Sequence, residues 1–143
     1  MMYLRIFSFV LFSFLFVQSV HTQSTYDLTV EVKGIETLEG NIMICLVSDK
    51  NNFLDGGCKR GKSIPANRST VEVTFEQSAA GYYAITLFHD ENSDQQLNTE
   101  GLFGMPSESY GFSNNPTLLF GPPSFDRCRF KLSEDQVIQV KLK

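Results

Sequence analysis

A chain of 143 residues with a formal charge of -4 at neutral pH has no positive field with which to hold phosphates, which excludes nucleic acid as a partner. At 42% hydrophobic residues this length makes one domain with a real core. Three cysteines, none in a C-x-x-C pair, exclude a zinc ribbon or a thioredoxin-type centre.

The chain opens with MMYLRIFSFVLFSFLFVQSVHTQS, in which Arg5 precedes an apolar run from Ile6 to Val17 and small or polar residues come after it. That order is a secretory signal peptide, and the run is shorter than the roughly 20 residues of a membrane span. Residues 1–22 are therefore expected to be removed, with cleavage somewhere between residues 19 and 24, leaving a domain over 25–143. The mature protein is expected to be secreted or periplasmic, with no membrane span. No cysteine lies in the cleavage zone to carry a lipid.

The rest of the chain reads as strands. "YDLTVEVKG" sets Leu28, Val30 and Val32 against Thr29, Glu31 and Lys33, a half-buried strand with period two. "GNIMICLVS" is apolar on both faces, as a central strand is. "STVEVTFEQ" alternates Val71, Val73 and Phe75 with Glu72, Thr74 and Glu76, and should have one wet face. "GYYAITLFH" puts Tyr83, Ile85, Leu87 and His89 on one side and Tyr82, Ala84, Thr86 and Phe88 on the other. "DRCRFKL" and "QVIQVKLK" complete the set. No sustained helical period is present, so the expected fold is all-β, a single β-sandwich of six or seven strands with Greek-key connections.

Between Asp90 and Phe125 no strand is evident, and a structureless stretch of that length is unusual in a compact domain. Its aromatic and apolar content argues against disorder, so the stretch is expected to be an ordered loop packed on the sandwich. In an oxidising compartment the odd cysteine count predicts a bridge that involves Cys58, which sits in a Gly-rich loop. Cys45 and Cys128 are both open as its partner.

The run "GYYAITLFHDENSDQQLNTEGLFGMPSESYGFSNNP" followed by "FGPPSFDRCRFKL" resembles the bacterial exported family known as domain of unknown function 2141, closely over residues 81 to 132. The resemblance implies an exported sandwich of the immunoglobulin-like or transthyretin-like sort and no activity. The chain departs from the family at Asp94-Gln95 and Leu97-Asn98. Cys128 stands where the family has a small residue, which implies a packing role and weakens the case for its bridging.

"HDENSDQQLNTEG" holds the candidate metal ligands. Asp90, Asn92, Asp94 and Asn98 occupy positions 1, 3, 5 and 9 of a calcium-type loop, with the Gln96 carbonyl at position 7. Gln95 replaces the glycine of position 6 and Gly101 the bidentate glutamate of position 12. Calcium is thus a possible cofactor, against an Asx-rich turn capped on its own backbone, which is the preferred reading. Tyr110, Phe112, Asn114 and Asn115 are candidates for contact with a ligand or an extracellular or periplasmic partner, although core packing is the better reading of the two aromatics. His89 with Glu108 or Asp90 would serve a small hydrolase or lyase, but no catalytic spacing accompanies them. The favoured function is an exported, non-enzymatic binding module acting through the 89–125 loop.

Overall fold

The structure is a computed structural model that describes residues 23–55, 57–119 and 121–143. The expected signal peptide lies outside them. Among the described residues there are ten strands and one helical turn: β1 Thr25–Lys33, β2 Asn41–Val47, β3 Gly61–Pro65, β4 Thr70–Ala79, β5 Gly81–Asp90, β6 Thr99–Glu100, β7 Met105–Pro106, β8 Tyr110–Phe112, α1 Phe125–Cys128, β9 Phe130–Leu132 and β10 Gln136–Lys141.

Two sheets face each other, as expected for a sandwich. One has the order β10-β1-β4, the other β3-β2-β5-β8, and β9 pairs with the far half of β5. β6 and β7 form a separate hairpin. The pairings within the sheets are antiparallel except that of β1 with β10, which is parallel and sets Leu28 beside Gln136 and Lys33 beside Lys141. The period-two rows meet in the middle: Leu28, Val30 and Val32 from β1, Val73 and Phe75 from β4, Ile42 and Ile44 from β2, and Ile85 and Leu87 from β5. Burying such side chains stabilises the fold by about 1.5–3 kcal/mol each, which is why the alternation sets the strand faces.

The apolar outer face of β2 and β5 is explained by a second, smaller core. Val47, Ala84, Phe112, Phe125 and Cys128 form it, with Phe53 packed alongside. Phe53 meets Phe125 edge-on at 5.7 Å between ring centres. α1 and the 3-10 turn Lys50–Asn52 thus roof one half of the outer face. Lys50 Nζ donates to Asp126 at 2.9 Å across that roof, and this contact holds the Asp126 carboxyl below its ordinary range. Both side chains are exposed, so the pair adds little stability.

Three sequence expectations are corrected. The count rises from six or seven strands to ten. β3, with a glycine, a proline and little apolar content, pairs with β2 at the sheet edge, where proline is tolerated. The stretch 90–125, expected to lack strands, contributes β6, β7 and β8, each too short to show a period. Asp126–Cys128, read as strand, is helical: Ser124 starts the turn in extended geometry, and the Arg129 N–H closes it on the Phe125 carbonyl.

Candidate functional site

The end of β5 delivers His89 and Asp90 to the edge of the core, where they are only 1% exposed. The His89 Nε2 lies 2.7 Å from the Glu39 carbonyl, so in the neutral ring Nε2 carries the proton, since a carbonyl only accepts. The imidazole therefore holds the β1–β2 connection, and its Nδ1 lies 3.8 Å from the Glu91 carboxylate of the loop that follows. The His89 backbone N–H donates to Ser109 at 2.8 Å.

Two buried carboxylates shape the polar turn. Asp90 accepts the N–H groups of Asp94 at 3.0 Å and Gln95 at 2.9 Å, one on each oxygen. Glu108 accepts those of Glu91 at 3.1 Å and Asn98 at 2.9 Å. The turn is thus held from both ends by charge-assisted bonds, each worth about 1.5–3 kcal/mol. Asn92, Asp94 and Asn98 form a third cluster: the Asn92 amide donates to Asp94 and to Asn98, and the Asn98 amide donates to Asp94. The Asn98 amide, then the Gln96 N–H, then Asn92 pull the Asp94 carboxyl below its ordinary value. Gln95 has φ +65, so this glutamine adopts the left-handed conformation for which position 6 of a calcium loop uses glycine.

The five candidate ligands are therefore neighbours, but the carboxylate oxygens of Asp90 and Asp94 face the chain's own N–H groups. Among the described residues no group of three or more His, Cys, Asp and Glu side chains is arranged to hold a metal ion. The candidate catalytic groups are equally engaged, His89 with a carbonyl and Asp90 and Glu108 with amides.

The SYGFSNN segment joins four elements. Gly111 lies so close to β10 that a Cβ would stand 2.9 Å from the Lys141 carbonyl oxygen. Ser113 is 1% exposed, accepts the Ile85 N–H at 2.8 Å and donates to the Cys128 carbonyl at 2.6 Å. Asn114, at φ +63, donates to the carbonyls of Arg127 and Arg129. Asn115 donates to Gln139 and accepts from the Lys141 N–H. Asn114 and Asn115, read as contact residues, thus clamp α1, the Arg129 that ends it, and β10. Phe112 packs in the outer core, and Tyr110, half-buried, meets it edge-on at 5.8 Å.

Tyr110 also borders an open cleft of about 530 Å³ over the unroofed half of the outer face. Its floor is Cys45, Thr86 and Phe88, one wall carries Asn52 and Leu54, and the other is Gln95–Leu97 of the polar turn. No charged side chain lines it. The Cys45–Cys58 disulfide, with Cα atoms 5.8 Å apart, anchors the first wall. Of the two partners left open for Cys58, Cys45 is the one bridged. Sequence reasoning missed Thr86 and Phe88, although their row on β5 already read as half-apolar on a second face.

Cys128 is free and fully enclosed, and burial pushes its thiol up to about 11, with Arg127 drawing it slightly back. With the folded value above the ordinary one, the stability it contributes is present below pH 9.0 and lost as pH rises toward 11. Native protein at pH 8 is expected to show no reaction with a thiol-specific disulfide reagent, and one thiol per chain after unfolding without reductant. A fast native reaction would contradict the burial.

A family model described as an uncharacterized protein conserved in bacteria (DUF2141) matches residues 30–140. No curated protein and no solved structure matches the chain.

Proposed function

Given that the chain belongs to the DUF2141 family of proteins conserved in bacteria, we propose that it is an exported, non-enzymatic module that binds a neutral, partly apolar ligand in the cleft over β2, β5 and β8. The carrying observation is the lining: an apolar floor bordered by Tyr110 and by the amides of Asn52, Gln95 and Gln96, with no charge. Such a site gains from desolvating apolar surface and orients its ligand with a few hydrogen bonds, while a charged ligand would lose its hydration without compensation. The leader supports export, and the disulfide suits an oxidising compartment.

The alternative, a hydrolase or lyase built on His89 with Glu108 or Asp90, has less support, because all three are buried and bonded to main chain and none lines the cleft. Nile red, a neutral aromatic dye, is expected to brighten and shift to the blue on binding. Thr86→Trp, which fills the floor from a half-exposed position, should weaken that binding at least about tenfold with an unchanged melting temperature. Equal binding by the folded variant would refute the cleft.

A further inference from the structure

We propose that the tip of the β6–β7 hairpin seats in the cleft of a second copy of the chain, and that two copies associate reciprocally about a twofold axis. Leu102 is 100% exposed, Phe103 91% and Met105 61%, an apolar knob with no cover among the described residues. Adjacent exposed apolar side chains of this size mark contact sites on soluble proteins. The knob does not result from a loose segment: the hairpin base is fixed where the Ser107 N–H donates to Asn98 at 2.9 Å and Asn98 N–H donates to Glu108.

The same chain carries the matching hole. The cleft is uncharged, apolar at its floor and, at about 530 Å³, roomy enough for the side chains of Leu102 and Phe103 together. Knob and hole are also neighbours. Leu97 forms a wall of the cleft, and Phe103 is six residues further along, at most about 20 Å away along an extended chain. A knob and a hole carried close together on one chain allow two copies to exchange tips about a twofold axis, and in that arrangement the contact closes rather than growing into a filament.

Area favours reciprocity too. Three side chains on one tip fall well short of the roughly 800 Å² per partner of a standard interface, and pairing two tips with two clefts doubles what is covered. Charge points away from an anionic bilayer. Glu100 flanks the tip and Glu91 and Asp94 stand exposed at the base of the turn. Ligand and tip then compete for one site, so the dimer is the form in which the cleft is closed.

The inference rests on the cleft as a binding site, and sedimentation velocity tests it apart from that reading. Between about 10 µM and about 1 mM the protein is expected to pass from monomer to dimer, as a weak interface of this size does. Phe103→Ser, which removes the knob, and Thr86→Trp, which fills the hole, should each remain monomeric at the highest concentration. An equimolar mixture of the two should form dimers again, at least about tenfold weaker than the parent because one of two contacts is restored. A parent that stays monomeric throughout overturns the inference, and so does a parent dimer that persists undiminished in Phe103→Ser or in Thr86→Trp.

Phosphatidylcholine vesicles form the other arm. Co-sedimentation of a monomeric parent, lost in Phe103→Ser, would assign the tip to a bilayer instead of a second copy. Nile red separates the two readings: where the parent stays monomeric, dye bound by Phe103→Ser but not by Thr86→Trp keeps the cleft while the dimer falls, and dye bound by neither removes both.

Discussion

Gly40→Ala is expected to be the most damaging single-methyl change in the molecule. Gly40 has φ +67, and a Cβ there would overlap the Asp90 carbonyl oxygen and stand 2.7 Å from the Glu91 Cα. The left-handed backbone alone costs about 1–2 kcal/mol for an L-residue. The overlap is with main chain on both sides, so relief requires moving the β1–β2 turn off the end of β5, breaking the His89 bond to Glu39 and that of Ala66 N–H to Gly40. A loss on the order of 3 kcal/mol or more results, roughly 10 °C in melting temperature. Gly101→Ala is the internal control: its φ is +73 but nothing lies within 4 Å of the added carbon, so only the backbone term of about 1–2 kcal/mol remains. Thermal melts of the two variants side by side check this, and equal losses would mean that Gly40 is not in van der Waals contact with the turn.

Asp90→Ala is expected to rank next, and its effect reaches the cleft without touching it. The substitution leaves the Gln95 N–H without its acceptor and the Asp94 N–H with Asn92 Oδ1 alone, at 3.1 Å, beside a buried position, at a cost of about 1–3 kcal/mol for an unpaired group that water does not reach. Gln95–Leu97 then lose their tether and the cleft loses a wall, so Nile red binding should fall together with stability. Asp90→Asn keeps one acceptor oxygen and should recover part of both. Urea melts followed by dye titration at a concentration where the variant is folded provide the check. Full dye affinity in folded Asp90→Ala would detach the carboxylate from the cleft.

The strand faces were legible in sequence because each period-two row is also a burial row. Leu28, Val30 and Val32 pack inward as their alternation requires, and the doubly apolar β2 meets a core on one face and a roof or cleft on the other. The polar turn was legible as a self-capping device, since Asp and Asn next to free N–H groups bond locally. Its second anchor was not, because Glu108 comes from ten residues beyond Asn98 and nothing in the spacing says that the chain doubles back. Asn114 and Asn115 resembled a contact surface for a similar reason. Their partners, Arg127, Arg129, Gln139 and Lys141, lie 13 to 26 residues away, and short-range patterns do not register bonds of that range. The cleft escaped notice because it is a property of what α1 leaves uncovered, and a four-residue helical turn has no periodicity to read.

The parallel pairing of β1 with β10 has a temporal meaning. β1 is the middle strand of its sheet, and one bond between its neighbourhoods, from Asp27 N–H to Asp135, spans 108 residues. Until residues 136–141 have been synthesised, that sheet is a two-stranded ribbon, which is marginal in water by itself. Long-range closure of this kind is slow as well as late. The sheet around β1 is therefore completed only by the last strand to be made, whereas the β3-β2-β5-β8 sheet has all its strands once Phe112 is in place.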